Sequence, residues 1–211
     1  MKAFVSFFLL AFPLAGCQHV VPIKSPIMQP PLASPIHGTI NVFYPEELRS
    51  YRCETGNGYL FDNFQLELGT QSVTMFDLVL EGLFEHVNHI GYDPIFGGTI
   101  EKYPFIKFHL IRFTGCQAAW PIIGTTAIEI EYMASIYTQS GKVIAQIKAG
   151  GHADKFDLLV TDKETKYFDE ASYLASLTRV AMRKAVANFV FGFQKNEEIY
   201  EALNAEGSSL R

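Results

Sequence analysis

The sequence lacks the motifs that mark the common enzyme classes. It contains no GxSxG nucleophile elbow, no phosphate-binding P-loop, no HExxH zinc motif and no GxGxxG followed by a suitable helix. It also lacks a basic excess, since 17 Lys and Arg stand against 22 Asp and Glu, whereas a nucleic-acid-binding domain presents a basic face. These absences argue against an enzyme and against a nucleic-acid-binding protein.

Charge is nearly absent from residues 1–16, where Lys2 is the one charged residue. An apolar run follows it, and the small residues Ala15 and Gly16 stand directly before Cys17. This order is that of a secretory signal peptide, and the run is shorter than the roughly 20 apolar residues that span a bilayer. We therefore expect residues 1–16 to be removed. No second apolar run of transmembrane length follows.

The end of the signal peptide and the residue after it read Leu14-Ala15-Gly16-Cys17, which resembles the lipobox of bacterial lipoproteins. The resemblance implies that Cys17 becomes the first mature residue, with a diacylglyceryl thioether on its sulfur and an acyl chain on its amino group. Two or three acyl chains together anchor a protein stably. Gln18 follows where an aspartate would resemble an inner-membrane retention signal, so the resemblance implies the periplasmic face of the outer membrane.

Lipidation of Cys17 would leave two cysteines, Cys53 and Cys116, in an oxidising compartment. Both lie in polar sequence that contains glycine, and neither has a CxxC partner or metal-ligand spacing. A disulfide between them would contribute about 4 kcal/mol in the chain-entropy model. The alternative is a pair of free buried thiols.

Residues 17–37 are predicted to form a tether that begins at the lipidated cysteine. Prolines at positions 22, 26, 30, 31 and 35 oppose helix and sheet and favour an extended polyproline II chain. Fully extended, the tether would hold the domain about 60 Å from the bilayer. A Pro-rich ligand for a periplasmic partner is the alternative. The domain itself is predicted over residues 38–204, with a frayed tail over 205–211.

The first half of the domain shows two strands and a helix. Residues 39–44 and 58–69 read as strands, the second with alternating apolar and polar residues. Ser72 is a plausible helix N-cap, and apolar residues then recur at helical spacing until Gly91. The pattern therefore predicts a helix that includes His86 and His89.

The second half shows three strands and a long helix. Strands are predicted over about 104–113 and 126–138, and a turn at Ser140-Gly141 begins a hairpin with Ile136 opposite Ala145, Ala134 opposite Ile147 and Ser135 opposite Gln146. Lys107 and His109 are expected to face Glu129 and Glu131 on the outer face of the sheet. An apolar stripe from Leu174 to Gly192 predicts the helix.

These elements predict an α+β domain: a largely antiparallel sheet with two amphipathic helices on one face, in the order ββαβββα. With the lipobox, the helix ending at Ile90-Gly91-Tyr92, the 126–149 hairpin and the C-terminal helix, the chain resembles small outer-membrane lipoproteins of the YajG type. More distantly it resembles the lipopolysaccharide-assembly lipoprotein that plugs a barrel translocon.

Three clusters are weak candidates for chemistry. His86 and His89 could share a metal with Glu85, although solvated positions at a helix end explain them equally. His152 and Asp154 beside two glycines form a possible acid–base pair, but no nucleophile accompanies them. Glu129 and Glu131 have the spacing of two cooperating carboxylates, which pairing with Lys107 and His109 would explain. The sequence therefore predicts no catalytic residues, no metal and no cofactor besides the lipid.

Two functional hypotheses follow. The first is a non-enzymatic outer-membrane lipoprotein that serves as an accessory, scaffolding or binding module of an envelope, secretion or transport assembly, with an envelope protein as partner. The second is a periplasmic carrier or sensor of a small apolar ligand held between helix and sheet. The second rests on a Phe-rich interior whose members are predicted to be Phe64, Phe84, Phe108 and Phe189.

Overall fold

The computed structural model describes residues 19–21, 23, 35–55, 64–97, 101–115, 127–161 and 170–208. Its strands are β1 (His19–Val21), β2 (Ile36–Phe43), β3 (Arg52–Thr55), β4 (Phe64–Glu67), β5 (Phe84–His89), β6 (Phe105–Phe113), β7 (Ile128–Tyr137) and β8 (Val143–Ala153). Its helices are α1 (Glu46–Arg49), α2 (Leu68–Leu83), α3 (Pro94–Gly97), α4 (Lys155–Thr161), α5 (Glu170–Gln194) and α6 (Glu197–Ser208). The fold is α+β, as the sequence predicts.

The strands form a five-stranded sheet in the order β5-β2-β6-β7-β8 and a three-stranded sheet in the order β1-β4-β3. The larger sheet is mixed, because β2 runs parallel to both β5 and β6 whereas β6, β7 and β8 are antiparallel. The prediction of a largely antiparallel sheet is therefore approximate. It missed β5, whose parallel pairing with β2 becomes possible because α2 carries the chain back between the two strands.

The first predicted helix is wrong at both ends. Helix α2 begins at Leu68, and Ser72 is not its cap, since the Ser72 hydroxyl donates to Leu68 O at 2.7 Å. The helix ends at Leu83, because Phe84 takes extended backbone angles and opens β5. Phe84 and Val87 keep a helical spacing from Leu80, and this led the sequence pattern to extend the helix through a strand.

The hairpin register is confirmed. Ile136 pairs with Ala145, Ala134 with Ile147 and Ser135 with Gln146. The turn is one residue longer than predicted, since Tyr137 pairs with Val143 and Thr138 N–H donates to Lys142 O at 2.8 Å. A register irregularity after Ile136 restores the predicted pairs. Gly141 lies in this turn with φ of 81°, a conformation that favours glycine.

Helices α2 and α5 pack on the same face of the five-stranded sheet, as predicted. The contact centres on Phe76 of α2, whose ring lies 4.2 Å from that of Phe108 on β6 and 5.7 Å from that of Phe189 on α5. Tyr132 of β7 meets Phe76 edge to face at 5.0 Å. Aromatic pairs in these geometries add to the stabilisation that burial provides.

The predicted tether and tail are partly folded. Within residues 17–37, His19–Val21 forms β1 in parallel pairing with β4, and Ile23 is 1% exposed in the core. The larger sheet begins at Ile36, before the predicted start of the domain, and α6 continues to Ser208 through part of the predicted tail. The prolines of this region led to the prediction of an extended tether. The β-branched residues Val20, Val21 and Ile23 favour a strand instead. Residues 24–34 lie outside the described chain.

Candidate functional site

Two of the three cysteines lie outside the described residues. Cys17 and Cys116 are in that part of the chain, so lipidation and the Cys53–Cys116 pairing stay predictions. Cys53 is on β3, is 1% exposed and is disulfide-bonded.

The predicted histidine pair is separated. His86 and His89 lie on β5 rather than on a helix, and residues three apart in a strand project from opposite faces. Nε2 of His89 lies 3.8 Å from Asp77 Oδ1 of α2, on the helix side of the sheet. Within the described ranges, no three His, Cys, Asp or Glu side chains form a group that could hold a metal ion.

The predicted contact of Lys107 and His109 with Glu129 and Glu131 is wrong. The register of β6 and β7 places Lys107 opposite Ser135 and His109 opposite Met133, with a bulge after Leu110. The turn at Ser140-Gly141 predicted the register of β7 with β8, whereas the sequence pattern had no signal for the register between β6 and β7. The glutamates therefore find other partners.

Glu129 and Glu131 form separate ion pairs at the surface. Glu129 pairs with Arg112, and Glu131 Oε1 lies 3.0 Å from Lys148 Nζ. The ring nitrogens of His152 lie 4.0 Å from Glu129 Oε1 and from Asp154 Oδ2. Those distances exceed a hydrogen bond, so His152 and the two carboxylates form an exposed charge network in this structure.

A buried polar cluster that the sequence did not predict lies on the outer face of the sheet. Glu101 is 8% exposed and accepts hydrogen bonds from Asn41 Nδ2 at 3.1 Å and from Tyr92 OH at 2.5 Å. The bond to Glu101 raises the pKa of Tyr92. Lys107, also 8% exposed, pairs with Asp93. Buried charges need such partners, and here they hold Tyr92, Asp93 and Glu101 against the sheet.

Helix α3, which follows Asp93, carries exposed apolar side chains. Pro94 is buried at its base, and Asp93 Oδ1 accepts a hydrogen bond from Ile95 N–H at 3.1 Å. Phe96 is 86% exposed, and Lys107 Nζ lies 5.5 Å from its ring centroid. An exposed aromatic side chain on a fixed backbone is typical of a contact surface.

The helix side of β5 is also fixed. The Tyr44 hydroxyl donates to Asp77 Oδ1 of α2 at 2.6 Å. Burial, with the Asp77 carboxylate beside it, raises the pKa of Tyr44 far above its usual range, so the hydroxyl stays a neutral donor. The bond connects the end of β2 to α2, and His89 lies over the Tyr44 ring at 6.3 Å between centroids.

The outer edge of β5 exposes backbone groups. Ile90 N–H, which follows the strand, donates to Val42 O of β2 at 3.0 Å. Because successive strand residues direct their N–H and C=O groups to alternate sides, those of Glu85, Val87 and His89 point away from β2. Among the described residues, none bonds to these backbone groups.

A groove of about 470 Å³ follows this edge. Glu81 of α2 borders it on the helix side and Tyr103 on the outer side, with Val87 between them. Thr39 and Asn88 contribute polar side chains. The edge of β5 and this groove are the candidate functional site of the domain, which we call the β5 edge groove.

The interior predicted to hold a ligand is filled by aromatic rings. The ring centroids of Phe108 and Phe189 are 5.5 Å apart, and that of Phe84 lies 5.6 Å from that of Phe193. All four side chains are at most 3% exposed. Rings at these separations are in van der Waals contact, so the region around them is a packed core. The Phe64 side chain lies outside the described part of the chain.

None of the described helices has the length and apolar character needed to cross a membrane.

Comparison with known proteins supports the fold. The chain matches no protein-family model, and no curated protein matches its sequence. Its structure is similar to that of protein XCC0632 from Xanthomonas campestris, of the DUF330 family, with a TM-score of 0.54 and 12% identity over 91% of this chain and 99% of that one. Hypothetical protein CT253 from Chlamydia trachomatis matches with a TM-score of 0.39 and 12% identity over 75% of this chain and 99% of that one.

Proposed function

We propose that this protein is a non-enzymatic lipoprotein that holds a binding domain at the periplasmic face of the outer membrane, as an accessory of an envelope, secretion or transport assembly. The proposal joins the lipobox-like Leu14–Cys17 to a compact α+β domain. Cys17 would carry the diacylglyceryl and N-acyl lipid, and the membrane would be reached through these chains.

The observation that carries the proposal is the position of β1. This strand begins at His19, and Gln18 is the one residue between it and Cys17. Two residue steps span at most about 7 Å of extended chain. A lipid on Cys17 would therefore hold the domain directly against the bilayer surface, without a long spacer.

The arrangement of polar groups supports binding rather than catalysis. Glu129 and Glu131, which the sequence offered as candidate carboxylates, each pair with an opposite charge. Phe96 and the β5 edge groove are, by contrast, exposed surfaces. Surfaces of this kind recognise macromolecular partners.

Lipidation is tested by labelling cells with an alkyne fatty acid and detecting the label on the immunoprecipitated protein. We expect label on the wild-type chain and on Cys116→Ser, and none on Cys17→Ser. Cys116→Ser controls for the loss of a thiol as such. Label retained by Cys17→Ser, or absent from the wild type, would reject the anchor.

The partner is tested by crosslinking in cells and purifying the tagged full-length protein from detergent-solubilised envelopes, beside Cys17→Ala. One dominant envelope protein that is recovered with the wild type and reduced in the variant is the expected result. Recovery of the tagged chain by itself would reject the accessory role.

A further inference from the structure

We propose that the β5 edge groove receives an extended segment of a partner protein, rich in Lys or Arg, which adds to the sheet as a sixth strand beside β5. This inference rests on the proposed function and deepens it by naming the kind of partner segment. Addition of a strand to an exposed sheet edge is a general mode of peptide recognition, in which backbone hydrogen bonds supply affinity.

Unpaired backbone groups carry the first part of the argument. Glu85, Val87 and His89 present their N–H and C=O groups on the side of β5 opposite β2, and the described residues offer them no partner. An added strand would satisfy these groups in the way that β2 satisfies the other side. Over the six residues of β5, the partner segment would extend about 20 Å.

The shape of the groove carries the second part. Its lining comes from both faces of β5, since Glu81 lies on the helix side and Tyr103 on the outer side. A groove that follows the edge in this way has the form that an added strand needs, with room for side chains that alternate between the two faces. The hydrogen bonds of Tyr44 to Asp77 and of Asn41 to Glu101 fix the elements on either side.

Charge determines the chemistry of the segment. Glu81 and Glu85 are both exposed carboxylates of the groove. His37 lies 3.6 Å from Glu85 and is 89% exposed, and Lys102 Nζ stands over the Tyr103 ring at 5.1 Å. Two carboxylates against one lysine leave the groove acidic when the histidines are neutral. Complementary charge speeds association and selects partners, so a basic segment is favoured over an acidic one.

The test uses purified full-length protein in detergent and a fluorescent eight-residue peptide of alternating Lys and Val. Binding is followed by anisotropy for the wild type, Val87→Pro and Val87→Thr. Proline removes the edge N–H of residue 87 and places its ring in the path of the added strand, whereas threonine keeps the N–H. We expect binding by Val87→Pro to be at least tenfold weaker than binding by Val87→Thr, which measures the effect of the side chain alone.

Two altered peptides separate backbone from charge. N-methylation of alternate residues removes the donors of the peptide, and Glu in place of Lys reverses its charge. Each is expected to weaken binding at least tenfold. A Glu81→Gln, Glu85→Gln double variant is expected to bind the Lys peptide several-fold more weakly while keeping its denaturation midpoint, which guards against a variant that misfolds.

Amide hydrogen exchange gives a residue-level signature. On peptide addition, protection should rise at Glu85, Val87 and His89 and stay unchanged at His86 and Asn88, whose N–H groups already face β2. Equal binding by Val87→Pro or by the N-methylated peptide would overturn the proposal, as would no binding of the Lys peptide at about 1 mM. This experiment needs no membrane or cellular partner, so its failure is distinguishable from failure of the lipidation or crosslinking tests.

Discussion

The two outer strands of the five-stranded sheet, β8 and β5, differ in the contacts that they make with the rest of the fold. At β8, helix α5 packs against the strand so closely that a Cβ at Gly151 would lie 1.8 Å from Ala181 O, and Asn188 Nδ2 donates to Gly150 O at 2.7 Å. At β5, the backbone groups of three residues face a groove. Helix α5 therefore covers one face of β8 and bonds one of its outward carbonyls, whereas no described residue bonds to the outward backbone groups of β5.

The sequences of the two strands match this difference. Strand β8 carries small residues where α5 approaches, in the run Ala149-Gly150-Gly151. Strand β5 is short and reads FEHVNH, with polar side chains exposed along it. Short, polar edge strands resist unselective pairing with other sheets. An open edge of this kind suits a chosen partner without making the protein prone to aggregate.

The largest effect is expected from filling the space at Gly151. Gly151→Ala would force the new Cβ into Ala181 O and Ala185 N, at 1.8 and 2.7 Å, and backbone atoms cannot move aside as a flexible side chain does. We expect the free energy of unfolding to fall by about 3 kcal/mol. Chemical denaturation measures the loss. Gly150→Ala is the matched control, because its Cβ would meet no atom nearer than Ile130 O at 3.9 Å, and an equal loss there would refute the packing argument.

Proline substitution at neighbouring positions of β5 tests which side of the strand is open. Asn88→Pro removes an N–H that faces β2 and should destabilise the fold by about 2 kcal/mol, as an acceptor there loses its donor. Val87→Pro removes an N–H that faces the groove and should cost clearly less. Urea midpoints of both variants provide the comparison, with Asn88→Ala to account for the side chain. A reversed order would show that the edge assignment is wrong.

A smaller effect is expected from Asn188, which bonds to the edge of β8. Asn188→Ala removes the hydrogen bond to Gly150 O, and since Asn188 is exposed, water replaces part of it. The expected loss is about 1 kcal/mol, measured by thermal or urea denaturation. Asn188→Asp, which keeps the shape but offers no amide donor, should lose a similar amount. No change in either variant would mean that the carbonyl is satisfied by solvent.

The smallest effect concerns the ion pair between α4 and α5, in which Lys184 Nζ lies 2.6 Å from Asp157 Oδ1. The hydrogen bond from Lys184, followed by one from the Asp154 backbone, lowers the pKa of Asp157. The pair therefore stabilises the folded state above the pKa of the unfolded chain, and this contribution is lost as the pH falls through the lowered folded value. Asp157→Asn should flatten the fall in urea midpoint below about pH 4; an unaltered acid profile would rule out the linkage.

Local patterns predicted the fold where one strand pairs with its neighbour along the chain. The β7–β8 pairs around Ser135 and Gln146 follow from alternation and a turn, and the structure confirms them. Strand β5 escaped prediction because its partner β2 lies more than 40 residues away, and because Leu83, Phe84 and Val87 fit a helical spacing as well as a strand. Tertiary pairing decided between them.

The candidate site was predicted less well than the fold. His86 and His89, with Glu85, were weak candidates for a metal site, and the structure places them on an edge strand with a polar surface. The buried cluster of Asn41, Glu101 and Lys107 left no local signal, since Asn41 lies 60 residues before Glu101, with which it forms a hydrogen bond. Sequence alone offers residue types for such clusters, whereas long-range register determines which of them meet.

The buried pair of Lys107 and Asp93 has a consequence for molecular recognition. A charge removed from water keeps its partner or imposes a large cost, so Asp93 is held against β6. Tyr103, one wall of the groove, lies two residues from Glu101, whose hydrogen bonds to Asn41 and Tyr92 hold it at the same face of the sheet. A partner strand would then bind to a groove that is already ordered, so ordering the groove would reduce the binding free energy only slightly.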